Sequence, residues 1–327
     1  MNSPGRRVNH GVSQKQLRVI QQALRGMAAN RVPAASIDER REQFDAARAS
    51  LPLAKGFTAT PGRLGGVGVL RLDGQHDGDG VILYFHGGAY AIGSPRTHAA
   101  LTSGLAAQAG ANAISVDYRL APEHPYPAGL DDALAAYRAL LDSGADPGRV
   151  VFAGDSAGGG LATAVLVAAR DAGLPLPAAG VLFSPWTDLT MSGASITGKA
   201  DVEVILAVDG LRESAADYAA GTAPGHPLIS PLFASLTGLP PLLIQVGSHE
   251  VLLDERDQAR GPRRRRGRRG EPGSDAGRTA RVPGLRRPAG PGNCRGGQRR
   301  GLYQRARARL GGRDRAYSVP SFTQSAS

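Results

Sequence analysis

A single cysteine, Cys294, stands among 327 residues, which excludes an internal disulfide and any cysteine-based metal cluster and suits a reducing compartment. Nucleophilic chemistry, if present, belongs to another residue type. Long apolar runs are also missing. None approaches the roughly 20 residues that cross a bilayer, and Arg6 and Arg7 have no apolar stretch behind them. Neither a membrane span nor a secretory leader is therefore expected, and the cytoplasm is the default location. Two further absences are local: no lysine follows residue 260 and no histidine follows His249.

The residues that are present divide the chain in two. Hydrophobic residues make up 41%, enough to bury a core over most of its length. The net charge of +11 suggests a nucleic-acid partner until it is located. Residues 261–327 hold 18 arginines against three acids, whereas residues 1–260 hold 21 basic and 25 acidic residues. The globular part is mildly acidic, and the basic excess belongs to the end of the chain. Leu, Ile, Val and Phe supply only six of those last 67 residues. Such a segment cannot offset its ordering entropy by burial, so disorder is expected there. Its Arg-, Gly- and Pro-rich composition resembles a GC-rich coding sequence read out of frame.

Before residue 260 the patterns are those of an α/β protein. Apolar residues at helical spacing (Leu17, Ile20, Leu24, then Phe44, Ala47, Leu51) predict two helices separated by a proline-containing turn. Strand-like runs follow at 67–72, 81–85, 113–118, 150–153, 180–183 and 242–246, several separated by helix-compatible stretches. That alternation implies a mainly parallel sheet covered on both faces. The expected organisation is N-terminal cap helices over 1–55, a core over 56–260 with a cap insertion near 190–222, and the tail over 261–327.

Chemistry concentrates at two of the strand ends. The run 150–153 leads into Gly154-Asp155-Ser156-Ala157-Gly158, and a helix-compatible stretch follows. Small residues around Ser156 permit the strained strand-to-helix turn that lifts a serine hydroxyl above a sheet. His86-Gly87-Gly88-Ala89-Tyr90 follows the run 81–85. Acyl transfer creates an oxyanion, and preorganised amide donors aimed at it are each worth about 3–4 kcal/mol. The expected donors are the N–H groups of Gly87, Gly88 and Ala157. His86 is read as a hydrogen-bonding support of that loop and Asp155 as part of the same motif.

With Asp117-Tyr-Arg-Leu-Ala-Pro-Glu-His-Pro125 and Ser184-Pro-Trp-Thr-Asp188, these segments resemble, in order, the motifs of the hormone-sensitive-lipase-like (GDXG) esterases. The resemblance spans about residues 13–260. It implies an α/β-hydrolase fold with a helical cap, serine acyl-enzyme chemistry on short- or medium-chain esters, and no cofactor or metal. By itself, 117–125 reads as a strand end with an Arg–carboxylate pair and a proline-shaped loop. Tyr90, Trp186 and Phe233 read either as acyl-pocket lining or as plain core.

A triad needs an acid and a base besides Ser156. In the loop after 242–246 the resemblance, aligned on Asp254, implies Glu250 as the acid, with Asp254 in reserve; a register one residue earlier would select His249, which cannot play a carboxylate's part. The resemblance places the histidine base beyond Glu250, after one more strand, and no histidine is there. The base is thus unassigned, with His226 and His249 as weak substitutes. The missing strand and helix would leave a sheet edge and a helix-packing face exposed. The alternative reading is a catalytically dead hydrolase fold whose arginine-rich tail binds anions or nucleic acid; the tail has no lysine and almost no aromatics, which argues against it.

Overall fold

Val81–Phe85 reads Val-Ile-Leu-Tyr-Phe, apolar on both faces, and such a run is stable only where helices cover both sides of a sheet. It is the centre of the fold. A computed structural model describes residues 36–254 apart from residue 77, isolated helical positions at 18, 19, 22 and 26, and the backbone of a strand at 279–281. All belong to one structural unit, Met1–Gly284.

The strands are β1 (Phe57–Leu64), β2 (Val67–Gly74), β3 (Val81–Phe85), β4 (Asn112–Asp117), β5 (Val150–Asp155), β6 (Ala179–Phe183), β7 (Leu242–Gln245) and β8 (Thr279–Arg281). Their order in the sheet is β1-β2-β4-β3-β5-β6-β7-β8. Strands β4, β3, β5, β6 and β7 run parallel, while β1, β2 and β8 pair antiparallel at the two sides. The α/β-hydrolase fold expected from the sequence is the fold observed. One expectation is corrected: β7, read as a bare edge, pairs on its outer side with β8. The apolar side chain of Leu243 on β7 is exposed.

The helices are α1 (Ile37–Arg48), α2 (Ala99–Ala109), α3 (Ala128–Asp142), α4 (Ala157–Asp171), α5 (Ser195–Gly198) and α6 (Val208–Ala219). Helices α3 and α4 pack with Phe85, Phe152 and Trp186 in the larger core; α2 contributes to a smaller one with Leu72, Ile82 and Tyr84. Helix α4 buries 12 of its 15 residues, so it is the central helix of the fold. The segment 190–222, expected as a cap insertion, contains α5 and α6. The first predicted N-terminal helix falls outside the described residues apart from the isolated positions. So does the tail except for β8.

Helix α1 buries none of its residues, contrary to the periodicity that placed Phe44, Ala47 and Leu51 on an apolar face. It is capped by Ser36, which accepts from Glu39 N–H at 3.2 Å, and it docks through charge. Arg41 donates to Ala91 O at 3.0 Å, to Ala121 O at 3.1 Å and to both oxygens of Glu123 at 2.8 and 2.7 Å. The Arg41 guanidinium holds the Glu123 carboxyl at about 2, well below an ordinary glutamate. A carboxyl depressed in this way stabilises docking above its unfolded pKa of about 4.3 and loses that contribution as pH falls through about 2. Glu123→Gln should therefore speed hydrogen exchange of the α1 amides at pH 7, and the difference from wild type should vanish at the acid end. Identical exchange at pH 7 would show that this pair does not hold the helix.

Candidate active site

Open parallel sheets place their ligand sites beyond the carboxyl ends of the strands. Here the ends of β3, β5, β6 and β7 bring together the glycine loop, Ser156, Ser184 and Glu250. Ser156 is the single residue between β5 and α4, at φ 51° and ψ −123°. That conformation costs a non-glycine residue about 1–3 kcal/mol and persists only when its surroundings impose it. They do so through four hydrogen bonds. Ser156 N–H donates to Phe183 O at 2.9 Å, and Ser156 O accepts from the N–H groups of Trp186, Gly159 and Gly160 at 2.8, 3.0 and 3.1 Å. The side chain remains partly exposed at the sheet end.

The glycine loop carries further strain. Gly88 sits at φ 124°, Ala89 at 53° and Tyr90 at 61°. Gly87 N–H donates to Asp155 Oδ1 at 3.0 Å. This corrects the sequence reading: the Gly87 amide is committed to a carboxylate and is not a free oxyanion donor. Among the described residues, the N–H groups of Gly88, Ala89 and Ala157 have no protein acceptor. Ala89 was missed because its left-handed backbone, which no glycine announces, can be read only from coordinates.

His86 is completely buried. Its Nδ1 lies 2.8 Å from Gly87 O, a carbonyl, so that nitrogen is the donor. Its Nε2 is buried without a partner among the described residues. Burial pushes the imidazole down to about 3, so at neutral pH it is an uncharged loop support. Asp155 is held below the usual carboxylate range: burial opposes its ionisation, but hydrogen bonds with His98 and Tyr84 and the nearby imidazoles outweigh that penalty.

Glu250 lies on the loop after β7. Its Oε1 accepts from Gly247 N–H at 2.8 Å, and it is hydrogen-bonded to the Ser184 side chain at the end of β6. Ser184 directly follows Phe183, whose carbonyl holds Ser156, so the acid and the serine meet on one strand end. Burial raises the Glu250 carboxyl above the ordinary value, with Glu203 adding to this and Ser184 and Gly247 opposing it. The reserve acid has another task. Asp254 Oδ2 accepts from Ser195 N–H at 2.8 Å, and Glu203 accepts from Val251 N–H at 3.1 Å, tying the segment 190–222 to the loop that carries Glu250.

None of the described histidines is hydrogen-bonded to Ser156. His226 Nδ1 accepts from Leu228 N–H at 3.2 Å, His76 Nδ1 accepts from Gly78 N–H at 3.1 Å, and His249 is exposed beside Ser248. Both nitrogens of His98 face other groups, Asp155 and the Ser94–Thr97 turn. His10 lies outside the described residues. Trp186 and Tyr90 are core residues and Phe233 is exposed. The segment 117–125 holds the expected structural pair, with Arg119 on Asp132 at 2.9 Å. Among the described residues no cluster of side chains could hold a metal ion, and no helix is long and apolar enough to cross a membrane.

A mainly parallel sheet with a serine at a strained strand-to-helix turn defines the α/β-hydrolase class. The model of a family described as alpha/beta hydrolase fold matches residues 82–268. The chain is 58% identical over 174 residues to an acetyl-hydrolase of Streptomyces hygroscopicus, covering 53% of this chain and 58% of that protein. It is 39% identical over 196 residues to an esterase of Acinetobacter venetianus, covering 60% and 65%. The solved structure of an esterase from the bacterial hormone-sensitive lipase family superposes with a TM-score of 0.72 at 42% identity, over 76% of this chain and 84% of the other. The chain belongs to the α/β-hydrolase fold family, on its hormone-sensitive-lipase-like branch. It spans about three fifths of the length of the two curated relatives.

Proposed function

We propose that the chain is a carboxylic ester hydrolase in which Ser156 is the nucleophile of an acyl-enzyme mechanism on short- or medium-chain esters. The observation that carries this reading is Ser156 itself, held at φ 51° beside the unpaired amides of Gly88, Ala89 and Ala157. Ser156 Oγ attacks the ester carbonyl, and the three amides take the developing oxyanion. The alkoxide leaves with a proton, and water releases the acid from the serine. Glu250 orients the base that takes and returns the proton. No described histidine occupies that place, so proton transfer limits turnover. Chains lacking one triad member keep roughly 10³–10⁴-fold catalysis over water. The names of the relatives, esterase and acetyl-hydrolase, favour ester hydrolysis over the anion-binding alternative.

The test is hydrolysis of p-nitrophenyl acetate and butyrate by the purified chain beside Ser156→Ala. A slow activity lost in the variant is the expected result. Equal rates for the two proteins would remove Ser156 from the mechanism.

A further inference from the structure

Asp155, next to Ser156 in the chain, sends its carboxylate away from the nucleophile and under the glycine loop. There it collects three partners: Gly87 N–H at 3.0 Å, Tyr84 OH at 2.6 Å and His98 Nε2 at 3.5 Å. Two belong to the strand and loop that carry the oxyanion donors. The third, His98, enters from the N-terminal boundary of α2, and the ester-hydrolase reading assigns it no role.

The surroundings of His98 place a proton on Nε2. Nδ1 lies 2.9 Å from Thr97 Oγ1 and 3.3 Å from Ser94 O, so it is satisfied as acceptor or as donor. Nε2 presents either a lone pair or a proton to Asp155. A lone pair facing an ionised carboxylate in a dry site is repelled, whereas a proton is attracted. The site is dry: His98 is 7% exposed, with the Phe44 ring of α1 on one side at 6.0 Å and the His86 ring at 5.5 Å. The charged or titratable groups around it are Asp155, His86 and Tyr84, with Arg48 beyond the Phe44 ring.

We propose that His98 is a positioning residue of the oxyanion site: through Nε2–H it holds the Asp155 carboxylate against Gly87 N–H and so fixes the loop that presents Gly88 and Ala89. Without it, Asp155 Oδ2 is a buried charge with no partner. Swinging toward another donor would release Gly87, and the loop would lose the anchor that sustains two consecutive left-handed non-glycine residues. The role rests on the reading of Ser156 as nucleophile, because only then do the loop amides serve an oxyanion.

The experiment uses the full chain and two readouts, neither needing turnover. The first is ¹⁵N NMR of the histidine rings. The expected signature is one ring, absent in His98→Phe, whose Nε2 carries a proton. A His98 whose Nε2 is bare in wild type would overturn the proposal. The second is affinity for phenylboronic acid, which forms a tetrahedral adduct on a reactive serine and places a negative oxygen in the donor site. His98→Phe, which keeps the stacked ring, should bind at least tenfold more weakly. Unchanged affinity in His98→Phe would overturn the positioning role. Should that variant not fold, the NMR arm decides. Boronate affinity identical in Ser156→Ala would instead refute the nucleophile reading, a distinct failure that leaves the NMR arm to decide His98.

Discussion

Imidazole added to the purified chain is expected to raise Ser156-dependent hydrolysis of p-nitrophenyl acetate by about tenfold or more. A positioned general base contributes roughly 10²–10⁴-fold, and a freely diffusing one recovers only part of that because its orientation is not prepaid. The other parts of the proposed catalytic site are already held in place. Ser156 is locked at its turn by four backbone hydrogen bonds, and Glu250 is hydrogen-bonded at Ser184, one residue beyond the carbonyl that holds the serine. The gain should grow as pH rises through about 6.5, where a free imidazole side chain becomes a neutral base. It should fade on acidification, and earlier than an ordinary glutamate would predict, because the Glu250 carboxyl is raised and loses its charge sooner. Imidazole also cleaves activated esters in free solution, so Ser156→Ala is the reference. An equal increase in that variant would mean that imidazole acts outside the protein and that Ser156 and Glu250 do not await a base.

Some of this site was legible in the sequence and some was not, for physical reasons. The elbow could be read because glycine and alanine around a serine, after an apolar run and before a helical one, have few other uses. The central strands were legible for the same reason: 81–85 is apolar throughout, and its bounds match β3. Strand β1 was missed. Its Pro61 and Gly62 weaken any strand pattern, and its mostly exposed positions give no alternation; only an edge position tolerates such a sequence. Helix α1 was found with the wrong driving force, since apolar spacing was credited for what Arg41 does through charge. The proposed oxyanion donors were half legible. Two glycines advertise the loop, but that Gly87 spends its amide on Asp155 depends on a contact between residues 68 apart in sequence. His98 carries no local signal either, because its partner lies on another strand.

Gly158→Ala should destabilise the fold and abolish Ser156-dependent hydrolysis, although alanine favours helices over glycine by about 0.8–1.0 kcal/mol. Gly158 lies in the first turn of α4, where a Cβ would strike Phe85 O and lie 2.5 Å from His86 O. Both are backbone atoms at the root of the glycine loop, so no rotamer change relieves the overlap. Overpacking of this kind costs typically about 1–3 kcal/mol, which exceeds the helix gain. Relaxation can occur only by moving α4 away from β3, and that separates Ala157 N–H from the Gly88 and Ala89 amides. Gly210→Ala provides the contrast. It lies in α6 with nothing within 4 Å of the place its new methyl group would take, so it should gain up to about 1 kcal/mol and leave hydrolysis unchanged. Urea midpoints of the two variants measure the opposite signs directly. A Gly158→Ala protein as stable and as active as wild type would mean that the serine turn and the oxyanion loop do not need this close approach, and the geometry assigned to the site would be wrong.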